Sequence, residues 1–218
     1  IHFSKADTLI LLGDVIDRGP DGVALLLEIM EMPNAIMLLG NHEYMMLRAL
    51  GYPYDPYDPT SELIREDATE HWYRNGGKVT HDHWKRIRKS LREEMIQYLL
   101  DLPLNIDVEV NGKPYKLVHG APMDEYMNYP GSQSPIHFAV WKRWRRYDTF
   151  SGDFTMIFGH TPTKHYQDDV PMKLWYGNRM IGIDCGSGYP EDLPEGRLAC
   201  LRLDDGKVFY SEEECYDH

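Results

Sequence analysis

Thr8-Leu9-Ile10-Leu11-Leu12-Gly13-Asp14-Val15-Ile16-Asp17-Arg18-Gly19 decides the reading of this chain. The run 8–12 is uninterrupted and apolar, the pattern of a strand buried on both faces of a parallel sheet. Pro20 then opens a helix that continues over 22–30. The carboxylates of Asp14 and Asp17 and the guanidinium of Arg18 are thereby set on a loop at the carboxyl end of a strand, where open α/β sheets bind ligands. Read alone, the loop is also consistent with an acidic turn carrying a surface ion pair. Its repetition elsewhere argues for chemistry.

A second apolar run, 35–39, ends in Gly40-Asn41-His42-Glu43 and leads into a helix over 44–50. Glycine lets the backbone approach a ligand closely, and Asn and His supply a neutral oxygen and an imidazole nitrogen. Residues 106–110 and 114–118, joined by Asn111-Gly112, form a predicted β-hairpin whose second arm ends in His119-Gly120. The strand predicted over 154–158 ends in Gly159-His160-Thr161-Pro162. Four strand ends therefore present Asp14 and Asp17, Asn41 and His42, His119, and His160.

The 218 residues fit a single domain over 1–211 followed by an acidic tail, 212–218. Within it, 52–60 is an irregular proline-rich loop, and 61–74 and 81–100 are predicted helices. Together they make a helical cap over about 52–100, on the side of the motif loops. Lys85, Arg86, Arg88, Lys89 and Arg92 read as its solvated face, and His81 and His83 as surface residues.

Composition sets limits. Hydrophobic residues make up 42% and charged ones 27%, and no apolar run approaches the roughly 20 residues that span a bilayer. A net charge of -12 excludes a surface that binds nucleic acid through its phosphates, and no membrane partner is expected. Three cysteines, Cys185, Cys200 and Cys215, are too few for a disulfide framework and point to a reducing, cytoplasmic setting.

Beyond the hairpin, 121–135 reads as a loop rich in Met, Tyr and Pro, and 136–146 as a helix. That helix carries Trp141-Lys142-Arg143-Trp144-Arg145-Arg146, the one dense basic cluster. Arg143 is the preferred phosphate ligand, since a guanidinium gives two parallel hydrogen bonds to an oxyanion. Arg145 and Arg146 fit equally a helix C-terminus complemented by positive charge. After 160 the chain is strand and turn: 172–176, 180–184, and a last hairpin over 197–211.

Oxygen and imidazole donors without cysteine suit manganese, iron or zinc in a hydrolytic site better than a structural zinc centre. Asp14 has two oxygens and can bridge two such ions. A pair about 3.5–4 Å apart generates a hydroxide nucleophile and clamps a displacement at phosphorus. Arg18 and Arg143 would neutralise the non-bridging oxygens. The reaction expected is hydrolysis of a phosphate ester or anhydride.

Gly-Asp-x-x-Asp-Arg-Gly at 13–19, Gly-Asn-His-Glu at 40–43, His-Gly at 119–120 and Gly-His-Thr-Pro at 159–162 resemble the calcineurin-like metallophosphoesterases, in their phosphoprotein phosphatase branch. Trp141-Lys142-Arg143 is similar to the Trp-x-Arg of small phage and bacterial members of the lambda phosphatase type. Asn75-Gly76-Gly77-Lys78-Val79-Thr80 is similar both to those and to the symmetrical diadenosine tetraphosphatases. The resemblance implies an α/β (α+β) fold, a two-sheet αββα sandwich with the cap inserted. It implies that Asp14, Asn41, His119 and His160 bind the second of two divalent metal ions, manganese first and iron or zinc as alternatives, with Asp14 reaching the other ion.

By the same resemblance His42, held by Asp17, protonates the leaving oxygen while Arg18 and Arg143 grip phosphate. The implied function is a Ser/Thr phosphoprotein phosphatase acting through a metal-bound hydroxide. The alternatives are a symmetrical dinucleoside tetraphosphate hydrolase and, from another class, a non-catalytic module that binds phosphorylated partners. The family's upstream Asp-x-His motif has no counterpart here, and His2 is no substitute. The expectation is that an N-terminal segment carrying it, with a central strand, is missing from this sequence.

Overall fold

The computed structural model describes residues 3–52, 65–129, 131, 134–169, 172–188 and 196–211, without the side chains of residues 65 and 66. The proline-rich stretch 53–60, the first residues of the helix expected over 61–74, and the tail 212–218 with Cys215 lie outside the described residues.

The chain opens with β1 (Leu9–Leu11), α1 (Gly22–Glu31), β2 (Ala35–Met37) and α2 (Asn41–Ala49). β1 and β2 pair in parallel, with Leu9 opposite Ala35 and Leu11 opposite Met37. Among the described residues β1 has only β2 beside it, and it is half-buried instead of covered on both faces. On α1, Val23, Leu26 and Ile29 fall on one face and are buried.

α3 (Arg65–Arg74), α4 (Gly77–Trp84) and α5 (Lys89–Leu100) follow. The single helix expected over 81–100 is therefore two. Lys85 and Arg86 close α4 by donating to the carbonyls of His81 and His83, and Arg88 is extended (ψ 151°) before α5 begins. The turn brings Trp84 and Ile87 against the same core as Met95, Ile96 and Leu99, and lays the Arg92 guanidinium 4.9 Å over the Trp84 ring. Lys85, Arg86, Arg88 and Lys89 are exposed, as a solvated face requires. His81 and His83 are half-buried, and His81 packs against Trp72, Tyr73 and Trp84.

A five-stranded sheet, in the order β3-β4-β5-β7-β6, forms from β3 (Asn105–Val110), β4 (Lys113–Val118), β5 (Thr155–Phe158), β6 (Trp175–Tyr176) and β7 (Met180–Gly182). The hairpin turns on Asn111 (φ 53°) and Gly112 (φ 73°), the left-handed pair that a tight two-residue hairpin needs. β4, β5 and β7 run parallel, so β4 and β5 deliver His119 and His160 side by side. β6 holds two residues of the five expected over 172–176. A separate hairpin pairs β8 (Ala199–Leu201) with β9 (Val208–Tyr210).

Between β4 and β5, the 121–135 stretch contains a 3-10 helix, Met123–Asn128, and then α6 (Pro135–Trp141). α6 stops five residues short of the expected end. Lys142 is extended (ψ 127°), and the next side chains are pulled inward: Trp144 Nε1 donates to the Gly120 carbonyl at 2.8 Å, and Tyr166 Oη donates to the Trp144 carbonyl at 3.0 Å. Arg145 and Arg146 are consequently not at a helix terminus. Among the described residues two hydrophobic cores result, one built on α1, α2 and α5 around Leu26, Met46 and Leu99, the other beside the five-stranded sheet around Phe138, Phe158 and Trp175. No helix among the described residues is long and apolar enough to cross a membrane.

Candidate metal centre and phosphate site

The carboxyl ends of β1, β2, β4 and β5 meet at one place. Nδ1 of His119 lies 2.6 Å from the Leu12 carbonyl, joining the two sheets where their loops begin. Glycine makes the approach possible. A Cβ on Gly13 (φ 89°) would stand 2.6 Å from the Gly40 nitrogen, and one on Gly40 would stand 2.3 Å from Oδ1 of Asp14.

The backbone here is bent into conformations that L-residues avoid. Asp14 (φ 57°), Asp17 (φ 76°), Arg18 (φ 63°) and His160 (φ 63°) are all left-handed. Arg18 and His160 each sit at the centre of a three-residue turn, closed by Gly19 N–H to the Asp17 carbonyl at 2.7 Å and by Thr161 N–H to the Gly159 carbonyl at 2.6 Å. Such strain persists where surrounding structure over-determines it. Glu43 is part of that structure. Fully buried, its carboxylate accepts the backbone N–H groups of Asp14 and Val15 at 2.8 Å and of Gly40 at 3.1 Å.

Asp14, His119 and His160 offer ligand atoms that all lie within 4.8 Å of one another. Asn41 stands among them, its Oδ1 3.0 Å from Nε2 of His119 and 2.7 Å from Nδ1 of His160. Nε2 of His160 is buried with no hydrogen-bond partner. A carboxylate, an amide oxygen and two buried imidazoles gathered this closely, with Nδ1 of His160 facing the Asn41 oxygen, make a donor set that fits a divalent cation. Burial pushes the Asp14 carboxyl up, but the imidazoles of His119, His42 and His160 bring it down to about 2. Burial, followed by the charges of His119 and Arg143, holds His160 well below the usual imidazole range, the neutral form a metal ligand needs.

Beside this cluster runs a line of three side chains. Oδ2 of Asp17 lies 2.6 Å from Nδ1 of His42, and Nη2 of Arg18 lies 2.8 Å from Nε2 of the same ring. Burial pushes the imidazole down, yet Asp14 and Asp17 outweigh it and hold His42 above its ordinary pKa. Asp17 is fixed from the insertion: Trp72 Nε1 donates to its Oδ2 at 2.8 Å, and its own N–H donates to Thr80 Oγ1 at 2.9 Å. The Arg18 N–H donates to the Gly76 carbonyl at 3.2 Å. Arg143 Nη1 donates to the His160 carbonyl at 3.2 Å, so the second arginine also reaches the cluster.

All eight residues singled out from the sequence thus come together. Glu43 was visible in its motif, three residues after Gly40, but carried no assigned role; its capping-box spacing was the available signal. Thr80 closes the 75–80 motif but carried no assigned role, and Trp72 gave no signal of its own. Asp184 was also missed; burial and then the charge of Asp14 raise its carboxyl, and it accepts the Gly186 N–H at 3.0 Å.

The calcineurin-like phosphoesterase family profile matches residues 1–184. A symmetrical bis(5'-nucleosyl)-tetraphosphatase of Legionella pneumophila (strain Corby) is 38% identical over 77 residues, covering 32% of this chain and 28% of the relative. Serine/threonine-protein phosphatase 2 of Escherichia coli (strain K12) is 30% identical over 134 residues, 60% of this chain and 50% of the relative. Serine/threonine-protein phosphatase 1 of Salmonella typhimurium (strain LT2) is 26% identical over 177 residues, 75% and 69%. The chain therefore spans less than a third of the Legionella relative and half of the Escherichia coli one. In fold it is similar to a metallophosphoesterase from Sphaerobacter thermophilus, with a TM-score of 0.51 at 16% identity over 95% of this chain and 78% of that one. The sheets and helices described above are those of an αββα sandwich, and the chain belongs to the calcineurin-like phosphoesterase family.

Proposed function

We propose that the chain hydrolyses phosphate esters as a metal-dependent Ser/Thr phosphoprotein phosphatase. The observation that carries this reading is the Asp17-His42-Arg18 line lying against the Asp14, Asn41, His119 and His160 cluster. Those four residues are the proposed metal ligands, for manganese by preference. Divalent ions there supply Lewis acidity toward phosphoryl oxygen and make water acidic enough to attack near neutral pH. Arg18 and Arg143 bind the non-bridging oxygens, and His42, oriented by Asp17, donates its proton to the leaving oxygen.

The Arg18 contact adds a step. A guanidinium N–H meeting Nε2 of His42 at 2.8 Å requires a ring nitrogen that accepts, which is the neutral imidazole with its proton on Nδ1 toward Asp17. When phosphate draws Arg18 away, Nε2 is released to take up a proton from solvent, giving the imidazolium whose Nε2 proton then passes to the leaving oxygen. Asp14 and Asp17 supply the field that favours this charged form. The free thiols of Cys185 and Cys200 accord with a cytoplasmic setting.

A second reading, symmetrical cleavage of dinucleoside tetraphosphates, is favoured by the 38% identity to the Legionella tetraphosphatase. The deciding experiment measures phosphate release from a phosphoserine peptide and nucleotide release from diadenosine tetraphosphate, with manganese-loaded protein and its His42→Ala variant. Peptide turnover lost in the variant supports the first reading, and nucleotide turnover alone supports the second. Silence on both, with phosphopeptide still bound, would replace them with a non-catalytic binding module.

A further inference from the structure

Three flat rings stand in a row next to the metal cluster. Trp141 lies between His71 on α3, 5.7 Å away with planes 18° apart, and His137 on α6, 6.0 Å away with planes 25° apart. The edge of the same indole meets His160, at 5.8 Å and 89°. His160 is buried, Trp141 is half-buried and His71 is exposed, so the succession His160, Trp141, His71 runs from a proposed metal ligand to the surface. Among the described residues no second ring covers the far face of His71. Burial and then the charges of Arg74, Arg48 and His42 lower the His71 pKa, which puts this ring within the field of the proposed leaving-group acid.

Packing α3 against α6 would account for one aromatic contact. It does not account for an exposed imidazole stacked on an indole whose edge abuts a proposed metal ligand. Flat rings take other flat rings by offset stacking, and a neutral imidazole accepts either a base or a phenol. We propose that His71 and Trp141 form a stacking wall on the leaving-group side of the site and select phosphorylated substrates whose leaving group carries a flat aromatic ring. This rests on the hydrolytic reading above and narrows it. A nucleobase and a tyrosyl phenol share the required chemistry.

The test compares kcat/KM for four substrates: matched phosphotyrosine and phosphoserine peptides, diadenosine tetraphosphate, and inorganic pyrophosphate as the ring-free anhydride. The expected wild-type preference for the ring-bearing member of each pair falls about tenfold in His71→Ala, through KM, and returns in His71→Phe. Loss confined to the peptide pair assigns the wall to phenols, and loss confined to the anhydride pair assigns it to bases. Equal losses on all four substrates, or failure of His71→Phe to rescue, would reduce the stack to helix packing and overturn the proposal. Calorimetric titration with phenylphosphonate against methylphosphonate reads the same preference without turnover. A protein that hydrolyses nothing yet still prefers phenylphosphonate would refute the hydrolytic reading and leave the wall standing.

Discussion

Nδ1 of His42 and Oδ2 of Asp17 lie 2.6 Å apart, and both side chains are buried. This contact, with the nearby charge of Asp14, outweighs burial and keeps His42 above its ordinary pKa. An acid with a raised pKa stays protonated further up the pH scale. Asp17→Asn removes one of the raising charges, so the alkaline limb of the pH-rate profile moves toward lower pH. The expected fall in kcat at neutral pH is about 10²-fold or more, as for other positioned acids. A limb that stays in place would show that His42 is not the group titrating.

Arg143 is anchored beside the centre by Nη1, which donates to the backbone carbonyl of His160 and to Thr161 Oγ1 at 3.4 Å. Arg143→Ala is expected to lower kcat/KM by about 10²-fold, the scale of losing one charged donor to the transferring phosphoryl group. Arg143→Lys recovers only part of this, because a lysine cannot give the forked pair of bonds. Steady-state kinetics on one substrate separates the two variants.

Gly40 has no room for a side chain. A methyl there meets Oδ1 and the backbone nitrogen of Asp14 at 2.3 and 2.4 Å and Oε2 of Glu43 at 2.5 Å. Two of these groups belong to the loops themselves and cannot yield cheaply. Gly40→Ala should therefore destabilise by about 1–3 kcal/mol and disorder the ligand loops, visible in the denaturant midpoint and in weakened manganese binding.

Glu43 lies where its charge is disfavoured. Burial, and then the charge of Asp14, raise its carboxyl from the usual 4.5 to about 7. For a folded-state pKa above the unfolded one, the contribution to stability is complete below pH 4.5 and disappears as pH rises through about 7. Metal-free protein should lose melting temperature across that window, and Glu43→Gln should remove the slope. The same variant turns an amide N–H toward backbone donors, so its melting temperature is expected to lie below wild type throughout the range.

Chelation tests the cluster itself. The neutral His160 imidazole and the depressed Asp14 carboxyl both gain a partner when a cation binds. Manganese at 100 times its dissociation constant should raise stability by about 2.7 kcal/mol, and a chelator should remove that gain. His160→Ala should abolish most of it, as read by thermal melts with and without metal.

Much of the site was legible because its residues follow apolar runs directly. A buried strand has few ways to be read, and a polar residue placed just past its end has few places to go. Asp14, Asn41, His119 and His160 were found on that logic, and their parallel strands do converge. Helix ends were less legible. Periodicity carried α6 through Arg146, whereas the Trp144 indole, bonded to Gly120, draws the chain out of the helix at Lys142. A tertiary hydrogen bond of that kind leaves no local pattern. For the same reason the partners of Asp17 could not be read: Trp72 is 55 residues away and Thr80 is 63.

Those long-range partners bear on how members of this fold diversify. Trp72, Gly76 and Thr80 lie on the inserted helices and the turn between them, yet their bonds end on Asp17 and Arg18. The segment that carries His71 of the proposed stacking wall is here also the brace of the loop holding Asp17 and Arg18. Grafting another relative's insertion onto this sandwich would alter the substrate wall and slacken that brace in one stroke. New specificities in such a scaffold should therefore arise by substitutions on the exposed side of the insertion, with its inward-facing tryptophan, glycine and threonine carried over unchanged.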